Sequence, residues 1–285
     1  MNYTRRIELS GLPQKGFIRG LLLALVLLAG PASASETKNL PSSKAEKVGM
    51  SSDRMERMTA LGERYVKNNQ VAGMVNLVMR NGKVVHYKAH GARGSDDDRP
   101  MQKDDLFRIY SMTKPITAAA AMQLYEQGKF QLNDPVAKFV PELKDVKVLN
   151  ADGQLEDQAK PMTMHQLLTH TTGLSYGFAA QTDLVDRAYL GADIWAAQDL
   201  DEFAQRVAQL PLKFQPGSRY HYSIAVDITG LIVQRLSGQS FDIYLRENLF
   251  KPLGMEDTFF EVPDNKMARS LPNHILDPQT GGLMD

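Results

Sequence analysis

The chain contains no cysteine. That excludes a disulfide framework, a thiolate metal site, a cysteine nucleophile and a cysteine-linked lipid anchor. It also lacks an excess of either charge, because 33 basic and 33 acidic residues cancel. Residues 1–34 hold four basic residues and one acidic, which leaves residues 35–285 at −3 and argues against a nucleic-acid partner. No glycine-rich phosphate loop follows a strand-like stretch, so no nucleotide cofactor is expected. His86 and His90 stand too far apart along one extended segment to share a metal, and His165 and His170 do not share a helical face; no metal site is expected either. Internal repeats and low-complexity tracts are absent.

What is present begins with an apolar run, Gly20 to Gly30, preceded by Arg5, Arg6, Lys15 and Arg19 and followed by Pro31-Ala32-Ser33-Ala34. The run is shorter than the roughly 20 apolar residues a spanning helix needs, and it ends in small residues that suit a signal-peptidase site. We read residues 1–34 as a signal peptide cleaved after Ala34. The expected location is periplasmic or secreted, with no stable membrane anchor after cleavage.

Residues 35–50 are polar and read as a linker or arm. Ser51-Ser52-Asp53 then offers helix caps, and Met55, Met58, Leu61, Tyr65 and Val66 recur at helical spacing up to Asn68-Asn69. Gly73 to Arg80 and Lys83 to His90 flank Asn81-Gly82, the dipeptide that favours a type I′ hairpin turn. A buried helix follows from about Ser111 to the stop at Gly128, so residues 51–128 form the first part of an α/β domain. Residues 129–250 read as a mostly helical subdomain, with a turn or small insertion at Asn150 to Lys160, a loop at Gly173 to Gly191, and helices at Leu200 to Leu210 and Ile224 to Leu236. Residues 251–285 read as the start of a return to the α/β domain.

The chemistry centres on Ser111-Met112-Thr113-Lys114-Pro115. A serine hydroxyl is a weak nucleophile until a nearby base takes its proton. Residues three apart share a helical face, which puts the Lys114 amine beside Ser111. Proline is tolerated only in the first turn of a helix, so Pro115 sets the helix start close to Ser111 and leaves that hydroxyl at the positive end of the dipole.

Ser-x-x-Lys alone is a weak pattern, but its surroundings are specific. Phe107 to Pro115, Thr163 to Leu174, Phe214 to Ser223 and Pro252 to Thr258 resemble, in order, four segments of the β-lactamase/penicillin-binding-protein serine hydrolases, in the class C β-lactamase and β-lactamase-type esterase branch. The resemblance spans about residues 50 to 260. It implies an α/β (α+β sandwich) fold in which helices flank an antiparallel sheet and a mostly helical subdomain is added.

The resemblance also implies a serine hydrolase that works through an acyl-enzyme, with Ser111 as nucleophile and Lys114 and Tyr222 managing the proton. Tyr222 inherits its role because Tyr222-Ser223-Ile224 fits the family's tyrosine motif; Tyr220 precedes that motif. The expected substrate is a small-molecule ester or β-lactam, and Ile224, where amidase members often carry asparagine, tilts the expectation towards esters. A β-lactamase or D,D-peptidase acting on amides, and an inactive or non-catalytic cell-wall-binding relative, are the alternatives. The family's third motif, Lys-Thr-Gly or a relative, is not found downstream of Tyr222. The expectation is therefore a C-terminally truncated chain without the last strands of the sheet, whose hairpin at residues 73–90 exposes an unpaired edge.

Overall fold

The computed structural model describes residues 40–279 and 281–284. The expected signal peptide, its cleavage point and the first five residues of the expected arm lie outside the described residues.

Helix α1, Ser52–Lys67, starts where Ser51 accepts a hydrogen bond from the Arg54 amide, and Asn69 follows it in the left-handed conformation at φ 53°. Strands β1, Gly73–Arg80, and β2, Lys83–Gly91, pair antiparallel around Asn81 and Gly82. Both turn residues have positive φ, as a type I′ turn requires. Residues 41–43 run beside Val84, and Ala45 and Val48 are buried. Helix α1 packs on the hairpin and covers His86 and His90. Two further sheets among the described residues are also strand pairs: β3, Val148–Leu149, with β4, Leu155–Glu156, and β5, Ile275–Leu276, with β6, Leu283–Met284.

The helical body holds the larger core. Helix α6, Ala225–Ser237, is buried from Ala225 to Val233 except at Asp227, and ends at Gly238 in the left-handed conformation. Helix α2, Thr113–Glu126, packs against it, and the small side chains of Ala120 and Ala121 are fully buried there, which permits close approach. Around this pair lie α3, Met164–Leu168, with a reciprocal capping box between Thr163 and Gln166; α5, Leu200–Val207, capped by Asp199; and α7, Phe241–Leu245, continued by one π turn to Phe250.

One expectation is corrected. Residues 173–191 are not all loop, because Leu184–Gly191 forms α4, capped by Asp183 and burying Val185 and Tyr189. The glycines at both ends mask a helical stretch only eight residues long.

The segment leading into α2 is held on both sides. Arg93 makes a buried ion pair with Asp105 at 3.0 Å and donates to the Ala268 carbonyl. Leu106 exchanges backbone hydrogen bonds with Arg269 and Leu271. Ser111 therefore enters its helix from a backbone anchored to the hairpin side and to residues 268–271.

Candidate active site

Ser111 lies in a single 3₁₀ turn, Tyr110–Met112, that runs directly into α2, with Pro115 in that helix's first turn. Tyr110 has φ 42°, a left-handed value that a bulky residue adopts only under constraint. Ser111 is exposed there, ahead of a helix whose buried face is Thr117, Ala120, Ala121 and Leu124. Lys114 donates to Ser111 Oγ at 3.2 Å, and the Tyr222 hydroxyl donates to the same oxygen. The structure thus brings Ser111, Lys114 and Tyr222 together across 111 residues of sequence. Tyr220 takes no part in this contact; it is exposed, with its ring edge-on to His170.

The Lys114 ammonium sits 4.7 Å from the centre of the Tyr222 ring and 5.2 Å from that of Tyr176. Burial alone would push the Tyr222 phenol up, but the neighbouring ammonium and the hydrogen bond to Ser111 more than offset it, and the phenol ends below its ordinary range. Tyr176 goes the other way. Burial and the carboxyl of Asp227, to which its hydroxyl donates at 3.0 Å, push its pKa well up, so Tyr176 stays a neutral donor. Asp227 is itself raised by burial, although Tyr176 and Lys114 pull it down. Two tyrosines 5.4 Å apart are therefore driven to opposite acidities.

His170 holds the tyrosine segment in place. It too has a left-handed φ, 55°. Its carbonyl accepts from the His221 amide at 2.8 Å, and its Nδ1 accepts from the Ser223 amide at 3.2 Å, so one residue grips the backbone on both sides of Tyr222. Its ring also lies 4.9 Å from the Tyr222 ring. An Nδ1 that accepts from a backbone amide must be unprotonated, which requires a neutral imidazole. Burial, with Lys114 and His221 nearby, lowers the His170 pKa in the same direction.

Burial also lowers His86 and His221. A histidine whose folded pKa is depressed contributes stability that is present above its unfolded value, about 6.5, and is lost as pH falls through the lowered value. The melting temperature is expected to fall between pH 7.5 and pH 5, before carboxylates titrate. His170→Asn should reduce that dependence, and a melting temperature flat across this range would contradict the assignment of neutral histidines.

The loop that carries Tyr176 is pinned by a buried polar cluster. Ser175 donates to Asp186 and contacts His221 Nε2 at 3.2 Å, while Lys213 bridges Asp186 at 2.7 Å and Asp183 at 2.9 Å. Gly173 opens the loop at φ 89°, and a side chain there would meet the Phe214 carbonyl oxygen at 2.5 Å. Only glycine allows that approach.

Tyr110, Ser111, Lys114, Tyr176, Phe178 and Tyr222 are among the residues that line an open cleft of about 320 Å³. Ile224 lies outside it, fully buried in the helical core, so residue 224 presents nothing to a bound molecule. Sequence reasoning missed Tyr176, Asp227 and the grip of His170. A signal existed for Asp227: it is the single carboxylate in the apolar stretch from Ile224 to Val233. Among the described residues no group of three or more histidine or acidic side chains is placed to hold a metal ion.

A helical body joined to a hairpin and its covering helix, with a serine just ahead of α2 and a lysine and a tyrosine on its hydroxyl, is the β-lactamase/transpeptidase-like arrangement. The Beta-lactamase family model matches residues 58–279, and the chain belongs to that family. Protein Rv1367c of Mycobacterium tuberculosis is 38% identical over 219 residues, covering 73% of this chain and 52% of that protein. Esterase EstB of Burkholderia gladioli is 36% identical over 232 residues, covering 80% of this chain and 57% of EstB. Among solved structures, unliganded Simvastatin Synthase (LovD) from Aspergillus terreus superposes with a TM-score of 0.69 at 28% identity, over 82% of this chain and 62% of LovD. The chain spans just over half the length of the two curated relatives.

Proposed function

We propose that this protein is a serine hydrolase that cleaves small carboxylic esters through an acyl-enzyme on Ser111. The observation that carries the reading is the convergence of Lys114 and Tyr222 on one serine oxygen. Ser111 Oγ attacks the ester carbonyl carbon while its proton passes to the Tyr222 oxygen in its phenolate form, which the nearby Lys114 ammonium makes easier to reach. Tyr222 then delivers that proton to the departing alcohol oxygen as the ester C–O bond breaks. Water attacks the Ser111 ester by the same route in reverse and releases the acid. Relatives named as esterases, EstB and the lovastatin esterase of Penicillium rubens, support ester over amide chemistry.

Tyr222→Phe tests the proton route, because it removes the hydroxyl and keeps the ring against His170 and Tyr176. We expect kcat for 4-nitrophenyl acetate to fall on the order of 10²–10⁴-fold with a smaller change in KM. A kcat within threefold of wild type would remove Tyr222 from the mechanism.

We also propose that the protein is exported, to the periplasm or beyond the cell. The basic flank, apolar run and small-residue site within residues 1–34 support this. Mass spectrometry of protein recovered from the exported fraction is expected to find a mature N-terminus at Ser35; recovery with Met1 intact and membrane-bound would overturn it.

A further inference from the structure

Outside the reacting atoms, a row of flat rings runs from the cleft wall, which Tyr176 and Phe178 line, to Trp195 beyond it. Tyr176 and Phe178 are stacked with centroids 5.0 Å apart and planes within 12°, and Trp195 lies 6.0 Å from Tyr176 and within 14° of parallel. Phe178 is 79% exposed and Trp195 59% exposed, though each is an apolar ring.

Neither belongs to a loose segment. The amides on both sides of Phe178 are tied to the buried cluster, Gly177 to Ser175 at 3.2 Å and Ala179 to Asp186 at 2.8 Å. Trp195 stands on a turn whose Ile194 is buried, whose Asp193 carbonyl accepts from Arg206 at 2.7 Å, and whose indole rests on Phe203. Both residues stay more than half exposed despite their contacts with Tyr176 and Phe203, and flat rings offered to solvent on an anchored backbone gain further by stacking on a ligand. The row begins beside the chemistry, since the Tyr176 ring is 5.2 Å from the Lys114 ammonium, and Phe178 lines the same cleft as Ser111.

We infer that Phe178, Tyr176 and Trp195 form a stacking subsite for a planar aromatic group carried by the ester. The inference rests on the esterase reading for its substrate and on the ring geometry for its site. The aromatic group belongs either to the acyl side or to the alcohol side of the ester, and the two are separable by experiment.

Trp195 is the chain's one tryptophan, so its fluorescence reports this site alone. In the Ser111→Ala protein, 4-nitrobenzoate (acyl-side probe) or 4-nitrophenol (alcohol-side probe) is expected to quench Trp195 saturably, and Phe178→Ala on that background should weaken the apparent Kd about fivefold or more. In the active protein, Phe178→Ala should lower kcat/KM for the matching aryl ester, methyl 4-nitrobenzoate or 4-nitrophenyl acetate, about fivefold more than for methyl acetate or ethyl acetate, chiefly through KM. Phe260→Ala, which removes an exposed phenylalanine that does not line the cleft, should leave that ratio where it is. Saturable quenching by neither probe at millimolar concentration, or equal loss for aryl and alkyl esters, overturns the subsite. Quenching that persists in a protein that turns over no ester overturns the esterase reading and leaves the aromatic site standing.

Discussion

Ser111→Ala is expected to abolish covalent labelling by a fluorophosphonate probe and to lower ester turnover at least about 10³-fold, since losing a nucleophile leaves only the binding and electrostatic contributions of the site. The reason is geometric as well as chemical. Lys114 and Tyr222 both direct their hydrogen-bonding groups at Ser111 Oγ, and with that atom gone neither has a reacting partner. The fold should be untouched, because Ser111 is exposed and the core lies deeper, at Ala120, Ala121 and Leu124. The melting temperature of the variant is therefore the control. Persistent labelling at an unchanged melting temperature would show that another residue carries the acyl group. Loss of labelling without loss of turnover would place the chemistry elsewhere.

The second large effect is on stability. Lys213→Met removes the cation from a buried cluster in which the Asp186 side chain is 2% exposed and that of Lys213 9% exposed. Removing one partner of a buried ion pair leaves an uncompensated charge and costs about 3–5 kcal/mol. For a domain of this size that lowers the melting temperature on the order of 10 °C. The sign of the acid response follows from Asp186. Burial pushes its carboxyl up, yet the bonds from Lys213 and Ser175 outweigh that and hold it below its ordinary range. Its stabilisation is therefore present above the unfolded carboxylate value of about 3.9 and is lost as pH falls through the lowered one. In Lys213→Met burial dominates, and acid unfolding should begin at higher pH. The cluster carries the loop with Tyr176 and Phe178, so KM should rise while Ser111 remains intact. A loss of under about 1 kcal/mol in urea unfolding would mean that the pair behaves as a solvated surface bridge.

Local chemistry made much of the framework legible. Asn81-Gly82 specified the hairpin because a type I′ turn needs two residues that tolerate positive φ. Helix α5 ends at Val207 rather than Leu210, but it begins where expected, at Leu200, because the Asp199 cap acts within a few residues of itself. Pro115 located the start of α2 for the same reason. The same local logic failed at α4, where Asp183 is a sound cap but the helix is short and ends in glycine, so its periodicity has barely two turns in which to appear.

The residues around Ser111 divide along the same line. The Ser111–Lys114 contact is written in the sequence, because three residues on one helix fix a distance whatever the rest of the chain does. The four ordered segments, recognised as a resemblance, added Tyr222. Neither showed that His170 would bond the amide of Ser223 and present its carbonyl to His221, that burial and Asp227 would keep Tyr176 protonated, or that Ile224 would turn into the core. Those outcomes depend on how α6 and the residues just before it pack against residues 170–176, and their hydrogen bonds join residues 51 to 53 positions apart. Sequence by itself determined the local geometry at Ser111, since turns, caps and helical spacing are short-range. Only the tertiary structure decided the acidity of the two tyrosines and the aromatic row beside them, because desolvation and stacking arise only when distant segments exclude water from one another.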